Sequence, residues 1–217
     1  MRGFYASMVG KKVVMGVTGL IGVGFVILHS LGNLLLFRGP DAINSYSHFL
    51  KSTGELLWLL RIVLIVALIL HVTAAIQLAR QSRRARPIAY ARQEPQAATI
   101  ASRTMRWGGA LLLIFIILHI LHFTTGTLRP AGSFSHTDVY ANMVTSFRIW
   151  WVALFYVIAM IALGLHLFHG AWSSVRSIGV SPNSPDPLHK KISLVIAILV
   201  WAAFTSIPVA VFAGLVR

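Results

Sequence analysis

The chain has 217 residues, of which 57% are hydrophobic and only 11% are charged, and its formal net charge is +14 at pH 7. Soluble globular domains carry about 25% charged residues, so this composition excludes an ordinary soluble fold. The chain has no cysteine, which excludes disulfide bonds and iron–sulfur clusters held by thiolates.

Five long apolar stretches predict five membrane-spanning helices. A helix rises about 1.5 Å per residue, so about 20 residues cross a hydrocarbon core of about 30 Å. Lipid admits only helices or closed barrels, and stretches of this length favour helices. We therefore predict an all-α integral membrane protein, in which five transmembrane helices form a bundle in one domain over residues 1–217. The predicted spans are about 13–37, 56–79, 107–128, 149–175 and 192–216.

Positive charge is concentrated in alternate connections. Basic residues lie before span one and in the link between spans four and five. The link between spans two and three contains the most. Short basic loops stay in the cytoplasm, so we predict a cytoplasmic N-terminus and an external C-terminus. A basic link could also indicate binding to nucleic acid, but the topology rule already accounts for it. We therefore expect no nucleic-acid partner. The link holds one acid, Glu94, and seven arginines: Arg80, Arg83, Arg84, Arg86, Arg92, Arg103 and Arg106.

Glycine and proline mark special positions along the chain. Span one contains Gly16, Gly19, Gly22 and Gly24. Small residues let another helix or a flat ligand approach the backbone, although plain helix packing explains each glycine equally well. The sequence Arg-Gly-Pro at 38–40 then predicts the end of the helix. Residues 38–55 and 129–148 are expected to be outer loops, and a proline in span five predicts a kink.

One histidine lies deep inside each of the first four spans, where an ionisable side chain is costly and indicates function. His29 and His119 lie nine and ten residues before the charge at the outer end of their spans. His71 and His166 lie nine and ten residues before the charge at the inner end. All four are therefore roughly 14–15 Å from the nearer boundary. The sequence predicts two depths with two histidines at each.

Histidines at equal depth on facing helices can hold a haem iron from both sides of the ring. We predict that His29 and His119 are the axial pair of an outer haem, and His71 and His166 the pair of an inner haem. The plainer explanation for a single buried histidine is an interhelical hydrogen bond. That explanation does not account for four histidines at matched depths.

Two further histidines compete for these roles. His122 follows His119 by three residues and His169 follows His166 by three, so each shares a helix face with its neighbour. Both lie about one turn nearer the surface, where haem propionates would point, and hydrogen bonds to those carboxylates suit them. We expect propionate contacts, with ligation of iron by His122 or His169 as the alternative.

The five spans and the loop after span one, taken in order, resemble the cytochrome b subunit of succinate dehydrogenase and fumarate reductase. The form that they resemble has five spans and two haems in a single anchor chain. The resemblance covers nearly the whole length. It rests on GLIGVGFVILHSLGN in span one, NSYSHFL in the next loop, RIVLIVALILHV in span two, RWGGALLLIFIILHILHFT in span three and LHLFHGAWSSVRSIGV in span four.

The resemblance implies two haems b, ligated by the same four histidines that the depth comparison selects. It implies that a flavoprotein subunit and an iron–sulfur subunit bind on the cytoplasmic face. It also implies a location in the inner cell membrane of a prokaryote. Both a single complex and a higher oligomer of it are compatible with the resemblance. It also implies a membrane quinone as substrate, menaquinone being the usual one for this form. Succinate chemistry belongs to the flavoprotein, so no catalytic residue is assigned here.

A quinone needs protons along with its electrons. No aspartate or glutamate lies centrally in any span, and none neighbours His166, where some members of the family carry an acid. His48 and Glu55, near the outer surface, are the candidates for a quinone or proton site. Taken singly, each is better explained as a solvated loop residue.

Two other functions compete with this hypothesis. One is the cytochrome b anchor of another quinone-linked complex, of the nitrate reductase or hydrogenase type, which would copurify with different soluble subunits. The other is a proton-coupled transporter that uses its histidines as a relay. A transporter would fold without haem and would need polar cavity residues that these spans lack.

Overall fold

The computed structural model describes residues 3–85, 99–179 and 188–217. Predictions about Arg86, Arg92 and Glu94 therefore lie outside the described residues. The described residues form seven α-helices: α1 (Met8–Asn33), α2 (Pro40–Ser52), α3 (Glu55–Arg84), α4 (Ile100–His119), α5 (Val139–Phe147), α6 (Trp150–Ser177) and α7 (Leu188–Phe212). A 3₁₀ turn (Leu34–Arg38) follows α1, and a π-helical turn (Ile120–Thr124) follows α4.

Five of these helical segments are long and apolar enough to cross a membrane, which confirms the predicted number of spans. They cover Met8–Arg38, Glu55–Arg84, Ile100–Thr124, Trp150–Ser177 and Leu188–Phe212. Most extend a turn or more beyond the charge-free stretches at one end, because basic residues at a membrane boundary are good helix formers. The chain is thus a multi-pass membrane protein. Its many exposed apolar side chains lie on surfaces suited to lipid.

The expectation that residues 38–55 and 129–148 are loops is wrong in part, because each segment contains a short helix. In α2, Pro40 occupies the first turn together with Asp41, a favoured combination at a helix N-terminus. In α5, the Asp138 side chain accepts a hydrogen bond from the backbone N–H of Ala141, capping the helix. Gly39 allows the sharp turn into α2, since its φ is 97°.

The long helices pack in a definite order. Helix α1 packs against α3 and α6, and α6 packs in turn against α4 and α7. By contrast, α1 and α4 make few close backbone contacts, as do α3 and α6. These two pairs of helices face each other across the bundle interior, so side chains rather than backbones meet between them.

The buried core is concentrated at the end of the bundle that carries α2 and α5, called here the far end. The opposite end, where α1, α4 and α7 begin, is called the basic end. The far-end core joins short and long helices through buried Leu36, Ile43, Met143, Phe147, Val152, Tyr156, Met160, Ile207 and Val211. Helix α7 continues through Pro208, which is buried in this core.

Candidate functional site

The four deep histidines form two pairs, one at each level. The ring centroids of His29 on α1 and His119 on α4 are 6.0 Å apart. Those of His71 on α3 and His166 on α6 are 6.2 Å apart. Each pair joins helices whose backbones do not pack closely, so the rings meet across the interior. The pairing is the one selected by depth in the sequence.

These separations fit two imidazoles held by one metal. A metal–imidazole bond is about 2.0 Å long and the nitrogen lies roughly 1.1 Å from the ring centre, so imidazoles on opposite sides of a metal have centroids about 6.2 Å apart. No group of three or more histidine, cysteine or acidic side chains suited to a metal ion occurs among the described residues. Two protein ligands per level fit haem iron, whose other four ligands come from the macrocycle.

The surroundings of His71 fix its tautomer. Its Nδ1 lies 3.0 Å from the backbone carbonyl oxygen of Met15. A carbonyl only accepts hydrogen bonds, so Nδ1 carries the proton and Nε2 has a free lone pair for a metal. The Thr18 hydroxyl lies 3.4 Å from the same nitrogen and donates to the Val14 carbonyl. A carbonyl that accepts the Nδ1–H in this way orients a ligating histidine and raises its basicity.

Glycines let the helices approach the rings of the His71–His166 pair. A Cβ added at Gly19 would lie 3.2 Å from Cε1 of His71 and 3.5 Å from Oγ of Ser174. A Cβ at Gly109 would lie 3.6 Å from Cε1 of His166. Nδ1 of His166 is buried without a hydrogen-bond partner among the described residues. The site therefore has a fixed histidine on one side and an unpaired one on the other.

The His29–His119 pair lies in an aromatic environment. Phe25 stacks on His29 with ring centroids 5.2 Å apart, and Phe204 of α7 lies 5.7 Å from the same ring. Phe115 and Phe123 flank His119 at 5.5 and 5.8 Å. These rings exclude water from the pair and supply the apolar walls that a haem requires.

A chain of polar side chains reaches His119 from the far end. The Tyr156 hydroxyl lies 3.4 Å from Nδ1 of His119 and 3.1 Å from Nδ1 of His122. Nε2 of His122 lies 2.9 Å from the Ser146 hydroxyl. With Nε2 of His119 as ligand, only one direction is consistent: His119 donates to Tyr156, Tyr156 donates to His122, and His122 donates to Ser146. Both nitrogens of His122 then have protein partners.

The π-helical turn begins directly after His119 and contains His122. His119 ends α4, and the wider turn that follows sets His122 against Phe123, with ring centroids 4.0 Å apart. His122 is buried at 6% exposure. Its counterpart His169 is half-buried, has an unpartnered Nδ1 among the described residues, and packs edge-on against Trp172. The two histidines, equivalent in the sequence, thus differ in the fold.

His48 and Glu55 lie apart from both histidine pairs. His48 is exposed on α2 and Glu55 is exposed in the first turn of α3. Neither has a hydrogen bond or ion pair within the part of the chain that the structure describes. The structure does not bring these two residues together with the deep histidines.

Three hydrogen-bond partners of the site histidines were not predicted from the sequence: Tyr156, Ser146 and the Met15 carbonyl. A tyrosine inside an apolar span was a usable signal, because a buried phenol needs a hydrogen-bond partner. Ser146 lies in a segment expected to be a loop. The Met15 carbonyl reaches His71 only because α1 packs on α3, and no sequence pattern indicates that contact.

Five apolar helices around two intramembrane imidazole pairs define the class of helical membrane proteins that can hold metal cofactors inside the bilayer. The chain is 25% identical over 197 residues to the succinate dehydrogenase cytochrome b558 subunit of Bacillus subtilis (strain 168), across 90% of this chain and 91% of the relative. No family model and no solved structure matches. The chain is thus a distant relative of a succinate dehydrogenase cytochrome b subunit, over nearly the whole length of both chains.

Proposed function

We propose that this chain is the di-haem membrane anchor of a succinate:quinone oxidoreductase, and that it relays electrons between an iron–sulfur subunit and a membrane quinone. The proposal rests on the two histidine pairs, one at each level, whose ring centroids are 6.0 and 6.2 Å apart. Both separations fit imidazoles on opposite sides of one iron.

In this proposal each histidine pair would hold one haem b, which when bound would supply one-electron chemistry. His71 presents Nε2 because its Nδ1 proton is held by the Met15 carbonyl. For His119 to present Nε2, its Nδ1 would carry the proton and donate to the Tyr156 hydroxyl, which lies 3.4 Å away. The aromatic side chains around His29 and His119 keep water away, and low dielectric helps to set the potential.

The hydrogen-bonded chain supports His119 rather than His122 as the ligand. Both nitrogens of His122 lie within hydrogen-bond distance of protein groups, and ligation through Nε2 would take a partner from the buried Ser146 hydroxyl. Among the described residues Nδ1 of His169 has no hydrogen-bond partner, and His169 stays a candidate for propionate contact.

The proposed orientation places the basic end in the cytoplasm, because short basic segments are retained there. The flavoprotein and iron–sulfur subunits would then dock on that end, in the inner membrane of a prokaryote. His71 and His166 would hold the haem nearer to those subunits. The quinone is menaquinone in this proposal, which follows the resemblance. His48 and Glu55 stay proposed as groups near the quinone or its protons, at the far end.

Purification of the whole complex tests this function. Reduced-minus-oxidised spectra are expected to show b-type haem, at two haems per copy of this chain. Succinate dehydrogenase subunits are expected to copurify. Nitrate reductase or hydrogenase subunits in their place would assign the chain to another quinone-linked complex. A folded chain with one haem or none would overturn the di-haem proposal.

A further inference from the structure

A cationic cavity lies at the basic end, between the segment that leads into α1 and the last turns of α3. Its volume is about 440 Å³, and its lining includes Lys11, Arg80 and Arg84. None of the described residues that line it is acidic. Lys11 is only 7% exposed, and its Nζ donates one hydrogen bond, of 3.2 Å, to the Ala6 carbonyl. Since an ammonium has three donors, Lys11 can bind a further acceptor.

The cations are the groups of this lining that can bind a ligand. Gln77 and Gln81 also line the cavity, but their side-chain carbonyl oxygens are buried and do not open into it. A complementary ligand therefore carries an anionic group.

The cavity lies at the depth of lipid headgroups. Arg80 is the first charged residue after the apolar stretch 62–79 of α3, and Arg84 follows one turn later. Lysine and arginine at this boundary attract the anionic lipids of the cytoplasmic leaflet.

We propose that this cavity binds the headgroup phosphate of an anionic phospholipid. The phosphate is bound by Arg80, Arg84 and Lys11. This binding site is separate from the histidine pairs and does not depend on the proposed haems.

Lipid retention by the purified complex tests the proposal. The complex is equilibrated with vesicles of phosphatidylcholine that contain a minor fraction of phosphatidylglycerol, re-extracted, and its bound lipid counted per chain by mass spectrometry. The variant R80Q/R84Q is compared with R103Q/R106Q, which removes the same charge from α4 at the same end but outside the cavity lining. We expect retained phosphatidylglycerol to fall about fivefold for each arginine removed from the cavity, and to be unchanged in the control.

The unaltered complex gives the direct comparison between lipids. Phosphatidylglycerol is expected to be enriched on the chain relative to its share of the vesicle lipid, because phosphatidylcholine has no net charge. Retention of the two lipids in proportion to their vesicle content would overturn the proposal.

Other occupants give different results, each of which overturns the proposal. Complete displacement of phosphatidylglycerol by millimolar inorganic phosphate would identify a site for a free anion. Loss of haem from R80Q/R84Q with lipid retention unchanged would assign the cations to propionates. Loss of the soluble subunits with lipid retention unchanged would assign them to protein docking.

Discussion

The two histidine pairs have similar ring separations but different surroundings. The His29–His119 pair is enclosed by aromatic rings and lies beneath the far-end core formed with α2 and α5. The His71–His166 pair is surrounded by glycine, threonine and serine, and at its end of the bundle the described residues form a 3₁₀ turn (Phe4–Ala6) before α1 rather than a short α-helix. Among the described residues, short α-helices therefore pack over one level and not over the other, which faces the end where we propose that partner subunits dock.

The difference shows two ways of orienting an imidazole inside a membrane. At His71 a backbone carbonyl accepts the Nδ1 proton directly, so the orientation depends on the position of α1. At His119 a tyrosine accepts it, and that tyrosine is held in turn by His122 and Ser146. The acceptor at His71 is a main-chain group that no side-chain substitution removes, whereas the acceptor at His119 is itself a side chain. Mutations can therefore separate the two levels.

Removing a ligand should have the largest effect. Replacing His119 with alanine is expected to halve the haem content of the purified complex, because the far-end iron loses one axial nitrogen while the His71–His166 site is untouched. His71→Ala should likewise halve it, with loss of the other haem signal. Haem per chain and low-temperature spectra measure both effects.

Two controls accompany this comparison. His136→Ala removes an exposed histidine on the loop before α5 and should leave both haems in place. His122→Ala should also retain two haems. Complete loss of a haem in His122→Ala, with retention in His119→Ala, would move the far-end ligand by one turn.

Enlarging Gly19 should selectively damage the His71–His166 level. A Cβ at this position lies 3.2 Å from the His71 ring and 3.5 Å from Ser174 on α6, so valine must displace the histidine or separate α1 from its neighbours. Overpacking of this kind costs about 1–3 kcal/mol. We expect substoichiometric haem at this level only, measured by spectral deconvolution.

Gly24→Val is the matched control for that substitution. Gly24 is on the same helix, is exposed, and has nothing within 4 Å of an added Cβ. Equal haem loss in both variants would mean that α1 is sensitive to any side chain at its glycines rather than to contact with His71.

Removing the tyrosine hydroxyl should act only on the far-end level, and more weakly. Tyr156→Phe leaves Nδ1 of His119 without an acceptor, which lowers the basicity of the ligand and should raise that haem's reduction potential. Loss of the hydrogen-bond partner of a metal-binding histidine typically costs roughly 10–100-fold in metal affinity. For a one-electron couple, a tenfold difference in affinity between the two oxidation states is about 59 mV. Redox titration with optical detection measures the shift.

Thr18→Val provides the comparison at the other level. His71 keeps its hydrogen bond to the Met15 carbonyl in this variant, so its haem potential should change much less than that of the far-end haem in Tyr156→Phe. Similar shifts in the two variants would contradict the distinction between a backbone acceptor and a side-chain acceptor.

The smallest effect is expected in the short helices that cover the far end. The Asp138 carboxylate accepts hydrogen bonds from the Ala141 backbone N–H and the Asn44 amide, and these lower its pKa below the ordinary 3.8. The resulting stability is present above that ordinary value and is lost as pH falls through the lowered pKa. Asp138→Ala should destabilise the start of α5 by about 1 kcal/mol.

Limited proteolysis of residues 129–148 measures this change. Cleavage should be faster in Asp138→Ala than in the unaltered chain at pH 7, and the difference should shrink in strong acid. His29→Ala provides a further check, because loss of the far-end ligand should leave cleavage of this segment unchanged if the short helices fold independently of the haem.

Much of this protein was predictable from its sequence because the bilayer imposes a one-dimensional rule. The length of an apolar stretch sets a span, and the distance of each histidine from the nearest charge sets its depth. Depth alone selected His29 with His119 and His71 with His166, and the fold brings the same residues together. The helices α2 and α5 were missed, although Pro40 and Asp138 gave usable signals at their starts.

Only the tertiary structure decided which groups surround each ring. The sequence placed His122 and His169 in equivalent positions, one turn from a ligand. The fold encloses His122 between Tyr156 and Ser146 and leaves Nδ1 of His169 unpartnered among the described residues. Depth follows from the rise along one helix, whereas these contacts depend on the rotation of each helix and on the packing of residues far apart in the chain.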